Sequence, residues 1–175
     1  VTGDGLAASG SALTLGQVLV SRPGQRPTPI GIPAFQPIGA LFGDQIVLEG
    51  ESGMGEVPAG QSAYLTLLWR ALRRPAGDYE ARLRLVDRQG RIGAETIARP
   101  LNGQYSPSQW QPADVLRWQH NLRVGPTTPP GEYRLLLSLQ PIGGPALPVT
   151  RLDGSSAVVA GDAVLLRPIV VTPRP

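Results

Sequence analysis

Tyr79-Glu80-Ala81-Arg82-Leu83-Arg84-Leu85-Val86-Asp87-Arg88-Gln89-Gly90 is the stretch whose pattern decides the fold class. Tyr79, Ala81, Leu83 and Leu85 alternate with Glu80, Arg82, Arg84 and Val86, the period-two signature of a half-buried strand. Asp87-Arg88-Gln89-Gly90 supplies hairpin-loop chemistry and leads into a second strand over Arg91 to Ala98.

The same pattern recurs on both sides of this hairpin. Upstream, Gln45 to Gly50 reads as a strand, and Ala63 to Leu72 is apolar on both faces, as a central buried strand would be. Downstream, Leu116, Trp118, Leu122 and Val124 share one strand face, and Tyr133, Leu135, Leu137 and Leu139 line another. Ala157 to Ala160 and Ala163 to Val171 close the series, and Ala12 to Val20 opens it. Gly77-Asp78-Tyr79 and Gly131-Glu132-Tyr133 use one device twice: a turn ending in Gly launches a strand whose first inward residue is Tyr.

Composition agrees. The 175 residues include 22 Gly and 19 Pro, which break helix interiors, so a helical bundle is excluded. The hydrophobic fraction of 41% and charged fraction of 17% exclude a disordered chain. No apolar run reaches the ~20 residues that span a bilayer, so no membrane-spanning segment is expected. The fold class is therefore all-β: a two-sheet, immunoglobulin-like or related β-sandwich of about eight or nine strands. Its expected core is Leu65, Leu67, Trp69, Leu83, Leu85, Trp118, Leu122, Leu135 and Leu137.

One domain is expected over residues 12–172. Residues 1–11 read as a flexible lead-in and 173–175 as a tail. Pro23, Pro27, Pro29, Pro33 and Pro37 make residues 23–37 a Pro-rich crossover, and residues 99–113 form a long loop. The chain starts at Val1 and its one Met is Met54, so a processed product or an excised fragment is expected.

With no cysteine, the chain has no thiol chemistry and no Cys-based metal site. All sixteen basic residues are Arg, but the net charge is only +3 and acids are interleaved with them. No clustered basic stripe with stacking aromatics appears, so nucleic acid is not an expected partner. His120 stands alone, without a Gly-x-Ser-x-Gly elbow, and reads as a core or strand-end histidine. Asp87, Asp114, Asp153 and Asp162 fall at turns, where Asp bonds its own backbone, without the Asp-x-Asp-x-Asp spacing of a calcium loop. Gly50-Glu51-Ser52-Gly53-Met54-Gly55 lacks the Lys of a phosphate loop and reads as turns. No catalytic residue, metal site or cofactor is expected.

Phe42-Gly43-Asp44-Gln45-Ile46-Val47-Leu48-Glu49-Gly50, Pro58-Ala59-Gly60 and Leu65-Thr66-Leu67-Leu68-Trp69-Arg70-Ala71 resemble an extracytoplasmic β-sandwich domain of bacterial membrane proteins. The likeness continues through Leu85-Val86-Asp87-Arg88-Gln89-Gly90, Asn102-Gly103-Gln104-Tyr105-Ser106-Pro107-Ser108-Gln109-Trp110-Gln111-Pro112 and Pro129-Pro130-Gly131-Glu132-Tyr133. Such domains resemble the soluble tails of polytopic proteins related to lipid-linked-sugar glycosyltransferases, and occur in uncharacterised surface proteins. The resemblance spans roughly residues 40–172. Arg99 stands before Pro100 where the family often has Asp, and Ser138-Leu139-Gln140-Pro141 replaces a Gly-Leu-Tyr-Asp-like strand end.

The resemblance implies a non-catalytic, extracytoplasmic structural or interaction module of a larger cell-envelope protein. Its partners would be other segments of that parent. The alternative is a carbohydrate-binding module in which glycans meet Tyr105 and Trp110 on the 99–113 loop, flanked by Asn102, Gln104 and Gln109. Aromatic rings stack on sugar C–H faces while amides bond the hydroxyls. Arg82, Arg84 and Arg134 point outward as a small basic face, with Glu80 and Glu132 in the same rows.

Overall fold

The computed structural model describes residues 35–174. Within them two β-sheets stack face to face. Their strands are β1 (Gln36–Phe42), β2 (Ile46–Gly53), β3 (Glu56–Pro58), β4 (Ser62–Ala71), β5 (Tyr79–Val86) and β6 (Ile92–Ala98). There follow β7 (Val115–Arg123), β8 (Gly131–Pro141), β9 (Val149–Arg151), β10 (Val158–Ala160), β11 (Ala163–Leu165) and β12 (Ile169–Thr172). Eight of these have four or more residues and four have three. β3 and β9 are too short for periodicity to reveal, β10 falls within the expected Ala157 to Ala160 strand, and the strand expected over Ala163 to Val171 is broken before Ile169 into β11 and β12.

The first sheet runs β7-β4-β2-β1-β9. In the second, β8 is the axis. Leu136 and Leu137 pair with Arg84 and Leu83 of β5 on one edge and with Leu165 and Val164 of β11 on the other. β6 lies outside β5, and β12, which pairs with the start of β8, carries β3 alongside it in parallel. The predicted hairpin is β5–β6, closed by Asp87, whose Oδ1 accepts from the backbone N–H groups of Gln89 and Arg91 at 2.9 Å.

The core follows the alternation. All nine residues expected in it are buried, joined by Phe42, Ile46, Leu48, Tyr79, Tyr133 and Leu139. Tyr79 and Tyr133 are the first buried positions of β5 and β8. These strands run antiparallel, so the two rings plug opposite ends of the same pair.

Three expectations need correcting. β4 is flanked on both sides, as a central strand should be, but only one of its faces is buried. Tyr64, Thr66, Leu68 and Arg70 look away from the core, and Arg70 pairs with Glu49. Pro37 is not in a crossover: it lies in β1 opposite Gly50, on the part of the strand that β9 does not reach. An edge position is where a residue without an N–H is tolerated. The rest of the Pro-rich stretch, the lead-in and the Ala12 to Val20 strand lie outside the described residues.

The third correction concerns Gly50 to Gly53, which are strand rather than turns. A Cβ at Gly50 would stand 2.8 Å from the Gln36 carbonyl oxygen, so this glycine serves close strand approach at a bulge. The bulge also sets the facing of Glu51. It stands opposite Leu67 in the core row and is fully buried. Its Oε1 accepts from Arg167 Nε at 2.6 Å, and Arg167 Nη1 donates to the Gly53 carbonyl at 3.0 Å.

Candidate functional site

The segment from Arg99 to Asp114 crosses one end of the sandwich as two single 3-10 turns, Pro100–Gly103 and Pro107–Gln109. Each opens on a Pro, whose fixed φ suits the first helical position of the second turn, while the first departs from right-handed geometry directly after Pro100. Leu101 and Asn102 are left-handed, with φ of 50° and 54°. Asn tolerates that region; Leu there costs roughly 1–2 kcal/mol. The second turn is closed by Gln109 N–H donating to the Ser106 backbone carbonyl at 2.8 Å, and the Gln109 side chain reaches back in the manner of half a capping box, its Oε1 accepting from Ser106 N–H at 3.0 Å.

Trp110 anchors this loop. It is 1% exposed and belongs to the main apolar core. Its indole N–H donates to the Tyr105 carbonyl at 3.0 Å. Tyr105 is half-buried, and its hydroxyl lies 2.8 Å from Asp114 Oδ2, which also accepts from Gln111 N–H at 2.8 Å. Burial, and then the Asp114 carboxylate, raise the Tyr105 pKa above its ordinary value. Ala113 N–H and the Asp114 carbonyl bond the two sides of Ala71, at 2.8 and 3.0 Å, fastening the loop to the end of β4. Asp78 accepts from Ser108 N–H at 3.2 Å, and bonds from Ser108 hold its pKa below the usual range.

Of the five residues singled out in the sequence, two are thus tied into the loop's own interior, and stacking a sugar on Trp110 requires the loop to open. The Gln109 amide oxygen is taken up by the Ser106 N–H. Asn102 and Gln104 are exposed, and with Arg117 and Gln119 of β7 they line an open depression of about 360 Å³.

His120 is buried on β7 against Trp118, and burial pushes its pKa down to about 3. It is therefore neutral at ordinary pH. Among the described residues no three His, Asp or Glu side chains gather as a metal would need. The outward arginines are neighbours, as β5 and β8 pair, but Arg82 is matched by Glu95, Glu80 by Arg99 at 3.6 Å and Glu132 by Arg88 at 2.8 Å.

A second depression, of about 380 Å³, is lined by Ser52, Met54, Tyr64, Thr66 and Gln119. Sequence reasoning passed over it because its residues come from three strands that only sheet pairing brings together. Tyr64, an aromatic residue out of phase with the buried Leu65, Leu67 and Trp69, was the available signal.

No family model matches the chain, and no curated protein matches it. Among solved structures, it is similar to a Niemann-Pick type C2 protein from the Japanese carpenter ant. That likeness has 8% identity and a TM-score of 0.45, and covers 79% of this chain and 99% of that one. It is also similar to the CARDB domain of a Pyrococcus furiosus protein, in complex with di-metal ions. There the identity is 13% and the TM-score 0.39, over 71% of this chain and 90% of that one. No helix among the described residues is long and apolar enough to cross a membrane.

Proposed function

We propose that the chain is a non-catalytic structural or interaction module on the extracytoplasmic side of a larger cell-envelope protein. The observation that carries this reading is the sealing of the 99–114 loop by Trp110. The segment best placed to be a mobile binding or catalytic lid is instead pinned to the sandwich through Trp110, Tyr105 and Asp114. A loop satisfied by its own groups closes the end of a rigid block. The resemblance of residues 40–172 to the soluble tails of bacterial membrane proteins supports the location. A module of this kind acts through preformed surfaces.

Location is directly testable, because this chain has no cysteine and any cysteine elsewhere in the parent is first replaced by Ser. Gln89, at the exposed tip of the β5–β6 hairpin, is replaced by Cys in the full parent protein, and intact cells are treated with a membrane-impermeant maleimide. Labelling of intact cells is expected. Labelling only after lysis overturns the extracytoplasmic reading.

A further inference from the structure

Tyr64 is the one aromatic side chain among the described residues that stands mainly in solvent, at 59% exposure. All three tryptophans, and Tyr79 and Tyr133, are buried. Its surroundings are set by strand register. Ser52, Thr66 and Gln119 stand directly opposite one another on β2, β4 and β7. Thr66 lies between the buried Leu65 and Leu67, so this row faces away from the core. Tyr64, opposite Asn121, stands in the next row on the same face.

Gln119 lines both depressions, the one beside Tyr64 and the one beside Asn102 and Gln104. The two therefore adjoin at Gln119 on β7, and taken together they make a track from the Tyr64 ring past the edge strand to the 3-10 turn at Pro100–Gly103. Along it are hydroxyls from Ser52 and Thr66 and amides from Gln119, Asn102 and Gln104. Arg117 is its one ionised group, and among the described residues no carboxylate lines it. Arg117 has no carboxylate partner among the described residues; it shares this with Arg84, Arg123 and Arg134, and differs from Arg84 and Arg134 in lying beside the exposed Tyr64 face of the first sheet. Arg123 repeats the charge farther along the same face of β7, about 20 Å away at the rise of an extended strand.

We infer that this track binds an acidic oligosaccharide. The C–H face of a pyranose ring packs on Tyr64, an amphipathic ring that keeps its hydroxyl in water. Sugar hydroxyls exchange hydrogen bonds with the amides and hydroxyls of the track. A uronic acid carboxylate matches the planar fork of Arg117. Charge complementarity selects an anion, because the track holds an unpaired guanidinium and no acid. One ring set among amides selects a sugar over a nucleic acid, which calls for several stacking rings and a basic groove. This assignment deepens the module reading by giving it a ligand class, and rests on it for the presence of glycan where the domain sits.

The test titrates the whole chain with an oligogalacturonate and with its fully methyl-esterified, neutral counterpart, read by calorimetry and tryptophan fluorescence. Trp118 borders the track and serves as reporter. Saturable binding of the acid form is expected, weaker by about tenfold for the ester. Tyr64→Ala and Arg117→Gln each weaken the acid form by about tenfold with unchanged thermal midpoints, and Arg134→Gln, on the other sheet, leaves it intact. A flat titration with both glycans overturns the assignment. So does binding indifferent to Tyr64→Ala, or binding that Arg134→Gln weakens as much as Arg117→Gln. A flat titration with maleimide labelling in intact cells removes the glycan and keeps the module; labelling only after lysis removes the module's location.

Discussion

The carboxylate of Glu51, buried within the first sheet, is held by the guanidinium of Arg167, which leads into the last strand of the second. Arg167 keeps 22% of its side chain exposed while Glu51 keeps 1%, so the cation reaches in from the rim and the anion pays the desolvation. Removing one partner strands a buried charge. Arg167→Met is expected to destabilise the fold by about 3–5 kcal/mol. Glu51→Leu with Arg167→Met together should recover most of that loss. Urea unfolding of four proteins, the wild type, each single variant and the double, measures the coupling.

His120 makes stability depend on pH. Its folded pKa, about 3, lies below its ordinary value of 6.5, so the folded state prefers the neutral ring. The contribution is complete above about pH 6.5 and is lost as pH falls toward 3. His120→Leu should flatten this limb. Asp78 and Asp87, whose folded pKa values are also lowered, lose their contributions only below about 3.8. The window between pH 6.5 and 4 therefore isolates the histidine, and thermal midpoints across it provide the readout.

Trp110→Ala should cost about 3–5 kcal/mol, as truncation of a fully buried ring does. Tyr105→Phe, which removes one donor from Asp114 and leaves Gln111 N–H in place, should cost about 1 kcal/mol. The Tyr105 pKa is raised on folding, so its contribution holds below pH 10 and is lost as pH climbs past that value. Tyr105→Phe should remove that part of the alkaline limb in the same unfolding measurements.

Gly50→Ala places a methyl 2.8 Å from the Gln36 carbonyl oxygen. The backbone must part at the β1–β2 bulge, and a loss of roughly 1–3 kcal/mol is expected. Hydrogen exchange should show β1 amides losing protection before those of β4.

What the sequence disclosed follows from the range over which each signal acts. The β5–β6 hairpin, β7 and β8 are long, alternate cleanly and were legible with their core residues. β3 and β9 have three residues each, too few for a period, and exist because a neighbouring strand offers them hydrogen bonds, whereas β10 lies within the expected Ala157 to Ala160 strand and the expected Ala163 to Val171 strand is divided into β11 and β12. Glu51 was hidden for a different reason. A carboxylate among glycines resembles a solvated turn, and the guanidinium that makes it tolerable in the core lies 116 residues away. The long loop was legible as a loop with two aromatic anchors. Which way those rings face was not, since it depends on Ala71, Asp78 and Asp114 meeting them in space. The Tyr64 track was invisible because pairing across β2, β4 and β7 creates it.

The parallel pairing of β3 with β12 has a consequence for how the chain is made. Val57 is made well before Val171, its partner at the far end of the described residues. Glu51 waits as long for Arg167. Neither can be satisfied before the last strand of this domain has been made, so the earlier strands wait for it. Closure over such long separations is slow. The final strand is the latch, and a nascent chain stalled before Arg167 would present a half-built sandwich with an unpaired carboxylate at its centre, a natural client for a holding chaperone.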